Sequence, residues 1–238
     1  MAGLCHAVRV NRVRRTPIGG VRSAEDGRAA GPEAAVAAAT AHYLNGDPID
    51  MSALAAELGV GRATLYRWVG SRERLLGTIL AEMTERTYQV ALRGVGGSGP
   101  ERLLTMLDRF MRAVVDAAPL KAFTEREPRL FVRLATTPGP IEERAIALLS
   151  RELQREIDRG ALHVALPTRT LAQAIVRISD SFMYAHHLGG SRPEIDTALE
   201  VIELLLRPSG GAPAVAHAVA HAVAPEADGT VPGRGVHR

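Results

Sequence analysis

The sequence contains very little cysteine and lysine. Its one cysteine, Cys5, cannot form an intrachain disulfide, so we expect the chain to work in a reducing compartment, the cytoplasm. Lys121 is the only lysine among 29 basic residues, a bias that genome composition explains as well as any ligand does. No apolar run reaches the ~18 residues of a membrane span, and residues 1–31 lack the continuous apolar segment of a secretory signal. We therefore expect neither a membrane partner nor export.

Aromatic residues and strand-forming windows are also scarce. Only 4% of the residues are Phe, Trp or Tyr, and few windows are dense in Val, Ile and Thr. Stretches rich in Ala, Leu, Glu and Arg favour helix instead. A chain of 238 residues is long enough to bury a core in one or two domains. The composition therefore predicts an all-α fold, with about nine helices.

Composition shifts divide the chain into four parts. Residues 1–31 predict a flexible basic arm, since residues 1–32 carry six arginines against Glu25 and Asp26, a net charge of +4. This arm is either a disordered leader, a start codon placed too early, or a segment that touches DNA. Helical patterns then predict a three-helix domain at 32–78 and a helical domain of about six helices at 79–207. Glycine, proline and alanine dominate residues 208–238, which predicts a disordered tail.

The segment MSALAAELGVGRATLYRWVGSR, residues 51–72, is typical of two short helices joined by a tight turn. We expect Ser52 to cap the first helix and Gly59 to end it, because glycine takes the left-handed conformation without steric cost. Two apolar faces follow helical spacing: Leu54, Ala55 and Leu58, then Leu65, Trp68 and Val69. Five side chains of the second helix remain to face outward: Arg62, Ala63, Thr64, Tyr66 and Arg67. This pattern indicates a helix-turn-helix, whose second helix reads bases in the major groove.

The segment GVGRATLYRWVGSRERLL resembles the TetR family of bacterial repressors. Seven positions agree with the family pattern: Thr64, Leu65, Tyr66, Val69, Ser71, Leu75 and Leu76. Arg72 stands where the family usually has lysine, and Trp68 where histidine or another aromatic residue is common. The second half of the chain resembles the QsdR-type branch, regulators of lactone and quorum-signal breakdown. The resemblance implies a helix-turn-helix domain, a helical ligand-binding and dimerisation domain, and a homodimer formed by the two C-terminal helices.

Nine residues are candidates for contact with a double-stranded DNA operator. The resemblance implies contacts with the sugar-phosphate backbone at Thr64, Tyr66, Trp68 and Arg72, and a phosphate or base contact at Ser52. The residue chemistry adds guanine recognition by Arg62, a thymine-methyl contact by Ala63, close backbone approach at Gly61, and a base or phosphate contact by Arg67. Trp68 is equally well explained as a core residue, and a single arginine is more often a solvated surface charge.

The resemblance also implies a pocket for a small-molecule effector behind the DNA-binding domain. The candidate lining residues are Phe110, Phe131, Arg133, Thr136, Arg177, Asp180, Ser181, Tyr184 and His187. The branch implies a lactone or its hydrolysed acid, and Arg133 or Arg177 could then pair with a carboxylate. The alternatives are that the aromatic residues are core and that Arg177 and Asp180 form a surface ion pair. The dimer would use apolar stripes at Ile175, Ile178, Phe182, Leu199, Ile202 and Leu205.

The sequence lacks the motifs of an enzyme or a cofactor protein. It contains no G-x-S-x-G, H-E-x-x-H or C-x-x-C, and we expect no metal, because His217 and His221 have no third ligand. Residues 94–99, GVGGSG, match the spacing of a phosphate-binding loop, but no strand precedes them, so a hinge is expected. The sequence thus predicts a ligand-responsive dimeric regulator, most simply a repressor. The alternatives are a helical adaptor that has lost DNA binding and an enzyme on a helical scaffold.

Overall fold

The computed structural model describes residues 31–188 and 192–207, and these residues form α-helices without any strand. The all-α prediction is confirmed. Residues 1–30 of the basic arm and the 208–238 tail with its histidine pair lie outside the described residues. The helices are α1 (Pro32–Leu44), α2 (Met51–Glu57), α3 (Arg62–Val69), α4 (Arg72–Leu92), α5 (Gly99–Asp116), α6 (Ala118–Arg126), α7 (Pro128–Thr136), α8 (Pro140–Asp158), α9 (Thr168–Tyr184), a 3₁₀ turn (Ala185–Leu188) and α10 (Ile195–Leu206).

The described part of the chain has ten α-helices, where the sequence predicted about nine. Prolines account for the divisions between α5 and α8, because Pro119 lies in the first turn of α6 and Pro128 opens α7. Proline is well tolerated in a first turn, where its missing N–H would have no helical partner. None of these helices is both long and apolar enough to cross a membrane.

The helix-turn-helix is formed by α2 and α3, and its first helix is capped differently from the prediction. Asp50, not Ser52, is the N-cap, and its carboxylate accepts hydrogen bonds from the backbone N–H groups of Ser52 at 2.7 Å and Ala53 at 2.8 Å. The helix begins two residues earlier than expected, and its first residue, Met51, is buried in the core of this domain. Gly59 follows the end of α2 with φ +66°, as the turn requires.

Helices α1–α3 share their core with the helices behind them. Phe123 of α6 and Phe131 of α7 are buried in the same cluster as Leu65 and Leu76. The expected boundary between residues 78 and 79 lies inside α4, which runs continuously from Arg72 to Leu92. Helices α6 and α7 are therefore packed directly on the helix-turn-helix domain.

A second core joins α4, α5, α8, α9 and α10, and a buried ionic cluster lies at one end of it. Glu156 is fully buried and accepts a hydrogen bond from the backbone N–H of Gly99 at 2.7 Å. Arg102 is 3.3 Å from Glu156 and 3.2 Å from Glu152. Gly99 has φ +63°, and a Cβ there would lie 2.4 Å from the carbonyl oxygen of Ala161. Gly99, the last residue of the 94–99 segment, is thus held in place by Glu156 and by its close packing on Ala161.

Helices α9 and α10 bury part of the apolar stripe that was expected to pair two subunits. Ile175 and Ile202 are fully buried within one subunit, so assigning these two to a dimer contact was wrong. Both side chains belong to the second core, in which α9 packs on α8 and α10 packs on α5. Leu204 and Leu205 remain exposed on α10, at 65% and 37% of their surface.

Candidate functional site

The outer face of α3 is the most accessible part of the helix-turn-helix. Arg62, Ala63 and Arg67 are exposed, Thr64 is half-buried, and Tyr66 keeps 42% of its surface exposed. Gly61 precedes the helix in extended conformation and a Cβ there would meet no atom, so the approach to its first turn is open. Leu65 and Val69 face inward, as the spacing predicts. The outer face of α3 therefore presents basic and hydroxyl groups to any partner that binds there.

Two candidate DNA contacts are less available than the sequence suggested. Trp68 is half-buried and packs against the core of the helix-turn-helix. The Arg72 guanidinium already has partners: Nη1 and Nη2 donate to the two carboxylate oxygens of Glu127 at 2.8 and 2.5 Å, and Nε donates to the Ile49 carbonyl at 2.7 Å. These hydrogen bonds with Arg72 hold the pKa of the Glu127 carboxyl below its usual range. Glu127 lies 55 residues further along the chain, and no local pattern indicates the contact.

The junction between α6 and α7 touches the helix-turn-helix domain at two points. Glu127 binds Arg72, and the neighbouring Arg126 donates from Nη1 to the Gly46 carbonyl at 2.7 Å. We call Arg126 and Glu127 the α6–α7 clasp. The clasp reaches both the end of α1 and the start of α4, so movement of the junction would shift both flanks of the helix-turn-helix.

An internal cavity of about 90 Å³ lies behind the clasp, lined mainly by apolar side chains of α4–α9. Five of the nine aromatic residues of the chain line it: Tyr43, Tyr88, Phe110, Phe131 and Tyr184. Tyr88 and Phe110 meet edge to face at 5.6 Å between ring centroids, and Phe131 and Tyr184 meet similarly at 4.8 Å. Apolar walls with a few polar groups are typical of a site for a small organic molecule.

The polar groups of the cavity lining are hydroxyls and carboxyls: Tyr43, Thr84, Thr87, Tyr88, Glu142, Ser179, Asp180 and Tyr184. Among the residues that the structure describes, no Arg, Lys or His lines the cavity. Burial raises the pKa of Asp180 to about 8, and the nearby carboxylate of Glu142 adds to this effect. Burial also raises the pKa of Tyr88 and Tyr184 above the usual tyrosine value. Asp180 is therefore mainly protonated at pH 7. The neighbouring Glu142 accepts a hydrogen bond from Arg177 Nε at 2.9 Å.

The nine predicted effector-binding residues separate into groups. Phe110, Phe131, Asp180 and Tyr184 line the internal cavity. Thr136, Arg177 and Ser181 line a surface groove on its outer side, which Asp180 and Tyr184 also reach. His187 lines a neighbouring surface pocket beside Tyr184, and Arg133 is exposed and lies outside the cavity lining.

The alternative of an Arg177–Asp180 ion pair is wrong, because Arg177 pairs across to Glu142 of α8. Sequence reasoning missed Glu142, Tyr43, Tyr88 and Ser179. Glu142 lies four residues before Ile146, on the inward stripe of α8, and a carboxylate at such a position was a readable signal. From the sequence, Tyr43 and Tyr88 were interpreted only as core residues.

An exposed reading helix, a clasp and an internal cavity define the class of the protein: a helix-turn-helix regulator with a separate ligand site. Residues 98–207 match the family described as the tetracyclin repressor-like C-terminal domain. The solved structure of the transcriptional repressor QsdR from R. erythropolis, a TetR-family protein, is 48% identical with a TM-score of 0.72, covering 74% of this chain and 93% of that one. The TetR-family repressor AlkX from Dietzia sp. strain DQ12-45-1b, implicated in biodegradation of n-alkanes, is 25% identical with a TM-score of 0.54, over the same shares. The search of curated proteins finds no match.

The chain belongs to the TetR family of transcriptional regulators. The resemblance to the TetR family noted on residues 59–76 is confirmed. The similarity of the chain to QsdR is confirmed as well. Members of this family are non-enzymatic repressors, so the chain is a regulator and not an enzyme.

Proposed function

We propose that the chain is a dimeric repressor that binds a palindromic DNA operator through α3 and leaves it when a small molecule enters the internal cavity. The observation that carries the proposal is that one side of the cavity belongs to the helix-turn-helix domain itself. Tyr43 of α1 lines the cavity, and its ring packs edge to face on Phe123 of α6 at 6.5 Å. A ligand that displaces Tyr43 would therefore act on the reading helix through α1.

The clasp would provide a second connection from the cavity to the DNA-binding surface. Leu120 of α6 and Phe131 of α7 line the cavity on either side of Arg126 and Glu127. Arg126 and Glu127 in turn bind the Gly46 carbonyl and Arg72. A ligand that favours one position of these helices shifts the DNA-binding equilibrium by the difference in its affinity for the two states.

In this proposal, residues at the start of α3 recognise bases. The surrounding candidate residues contact phosphates and thereby fix the position of the protein along the DNA. Arg62 is exposed at the first position of the helix, where its guanidinium can bind O6 and N7 of guanine, worth about 1–3 kcal/mol of discrimination. Ala63 would meet a thymine methyl, and Gly61 would allow close approach. Phosphate contacts are assigned to the remaining six candidates: Ser52, Thr64, Tyr66, Arg67, Trp68 and Arg72. Arg72 would first have to leave Glu127.

The dimer is assigned to α9 and α10, because one reading helix covers a single half-site. Leu204 and Leu205 expose apolar surface there, and Ile178, Phe182 and Leu199 are half-buried beside it. The family resemblance implies a lactone or its hydrolysed acid as the effector. Of these two, the uncharged lactone suits the lining better, because no basic side chain faces the cavity. A reducing cytoplasm suits a DNA-binding protein with a single cysteine.

A DNA-selection and binding experiment tests this proposal. The operator is first selected from random duplexes with the full chain, and affinities are then measured by mobility shift. Arg62→Ala should lose about tenfold in affinity for the selected site and keep its affinity for unrelated DNA. Arg151→Ala removes an equally exposed arginine from α8 and should change neither affinity.

The alternative of a helical adaptor predicts a different result. In that case the wild type would select no sequence from the random pool, and Arg62→Ala would bind DNA as weakly as wild type does. Selection of a sequence without two-fold symmetry would overturn the dimeric part of the proposal alone.

A further inference from the structure

Two buried hydroxyl groups of the cavity have no partner within the described part of the chain. These are the phenol oxygen of Tyr88 on α4 and Oγ of Ser179 on α9. Both residues are more than nine-tenths buried. A buried hydroxyl without a hydrogen bond costs about 1–3 kcal/mol, so such groups usually serve a ligand or an ordered water. Their position in the lining indicates a ligand with polar atoms.

Asp180 follows Ser179 on α9 and lines the same cavity. Among the described residues, no cation or hydrogen-bond donor pairs with its carboxyl group, whereas the neighbouring Glu142 is satisfied by Arg177. Besides Asp180, the titratable groups that line the cavity and the adjoining groove are Glu142 of α8, Arg177 and Tyr184 of α9, Tyr43 of α1 and Tyr88 of α4, and Glu142 is the one that acts on the pKa of Asp180. Helices α5 and α7 contribute no titratable lining residue, and His186 and His187 lie in the separate pocket beyond Tyr184.

We propose that Asp180 binds the effector as an uncharged carboxylic acid, donating its proton in a hydrogen bond to a carbonyl oxygen of an uncharged, mostly apolar molecule. Ser179, the preceding residue of α9, provides a further hydroxyl donor, and Tyr88 provides another elsewhere in the lining, toward Arg102 and Glu152. This inference rests on the proposed function, and it names the chemistry of the ligand: esters, lactones, amides and ketones are accepted, while carboxylates are rejected. A carboxylate would lie close to Glu142 and would meet no cation in the lining to balance its charge.

The electrostatics of the cavity support this role. Burial raises the pKa of Asp180 to about 8, and the negative charge of Glu142 raises it further in the same direction. Asp180 is therefore mainly protonated at pH 7 and mainly ionised at pH 9. Arg177 does not oppose this effect, because its guanidinium is exposed and bound to Glu142 on the outer side.

Three probes with the same chain length and different polar ends test the inference: 2-octanone, octanoate and octylamine. Their binding to the full chain is measured by titration calorimetry from pH 6.5 to pH 9. We expect 2-octanone to bind at least tenfold more tightly than either charged probe at pH 7. Its affinity should fall about tenfold from pH 7 to pH 9, as the protonated fraction of Asp180 falls.

Three variants separate the hydrogen bond from a structural role of Asp180. Asp180→Asn keeps an N–H donor, so it should bind 2-octanone at pH 7 and lose the pH dependence. Asp180→Leu removes the donor and should bind about tenfold more weakly at every pH. Asp116→Asn, an exposed aspartate on α5, is the control and should behave as wild type.

Other outcomes overturn the inference. Tighter binding of octylamine, strengthening as the pH rises, would make the cavity a cation site. Tightest binding of octanoate would mean that a cation reaches the cavity. If no probe binds, or if 2-octanone binds without pH dependence, Asp180 is not the donor. Operator binding by the same preparation, measured in parallel, shows whether the proposed function survives such a failure.

Discussion

Arg72 and Glu127 join the first residue of α4 to the junction of α6 and α7 through two parallel hydrogen bonds, at 2.8 and 2.5 Å. A bidentate arginine–carboxylate pair fixes orientation as well as distance. Both side chains remain about 30% exposed, so the pair stabilises the fold less than a buried one would. The pair therefore matters mainly for its location, because it attaches Arg72, a candidate phosphate contact, to the α6–α7 junction.

Replacement of Glu127 by glutamine should release Arg72 toward DNA. If Arg72 then reaches a phosphate, the logarithm of the DNA affinity should fall more steeply with the logarithm of the salt concentration, by about 0.9 for each new contact. Fluorescence anisotropy of labelled operator between 50 and 300 mM salt measures this slope. Glu125→Gln, an exposed neighbour on α6, should leave the slope unchanged. An unchanged slope in Glu127→Gln would show that Arg72 only braces the fold.

Asp180 should make the stability of the protein depend on pH in a defined direction. Its pKa is about 8 in the folded chain against an ordinary value of 3.8, so the folded state holds the proton more tightly than the unfolded state does. The stability that this proton contributes is complete below pH 3.8 and is lost as the pH rises through 8. The gain in unfolding free energy from Asp180→Asn should grow between pH 6 and pH 8 and level off by pH 9. Urea unfolding at these pH values measures it, and a gain that shrinks with pH would contradict the assignment.

Gly99 and Gly94 offer a matched test of the α4–α5 connection. Both have positive φ, +63° and +65°, but only a Cβ at Gly99 would clash, with the Ala161 carbonyl. Gly94→Ala should cost about 1 kcal/mol of unfolding free energy for the backbone conformation alone. Gly99→Ala should cost a further ~1–3 kcal/mol, because the buried contact with Glu156 cannot relax freely. Equal losses in urea unfolding would show that the α5 N-terminus moves easily away from α8.

Leu204 on α10 should decide whether the chain is a dimer. Leu204→Glu places a charge on apolar surface that is 65% exposed in one subunit, so it should shift sedimentation from dimer to monomer. Loss of the second half-site contact should weaken operator binding about 100-fold. Leu166→Glu changes a leucine that is 47% exposed between α8 and α9, and it should leave the mass unchanged. A dimer that persists in Leu204→Glu would place the interface on another face.

The residue pattern of α2 and α3 predicted the helix-turn-helix from neighbouring residues alone. Gly59 and the inward positions Leu65 and Val69 were readable because a glycine turn and a helical period are local properties. The N-cap was misplaced from Asp50 to Ser52, because both residues are good caps and only the burial of Met51 decides between them.

The cavity lining was predictable only in part. Phe110, Phe131, Asp180 and Tyr184 were predicted from amphipathic helices, whereas Tyr43, Tyr88 and Glu142 reach the cavity through the way that α1, α4 and α8 pack together. The two arginines chosen to meet a carboxylate lie outside this lining. We therefore favour the uncharged lactone over its hydrolysed acid, the two effectors that the family resemblance implied.

Helix positions, turns, the exposed face of α3 and membership of the family were determined by the sequence, since each depends on residues a few positions apart. The tertiary structure alone decided that Arg72 is held by Glu127, that Tyr43 reaches the internal cavity, and that Asp180 lies there without a counter-ion among the described residues. These relationships join residues tens of positions apart, or depend on which groups share a buried space. Their physical basis is the packing of helices, which sets distance, burial and charge together.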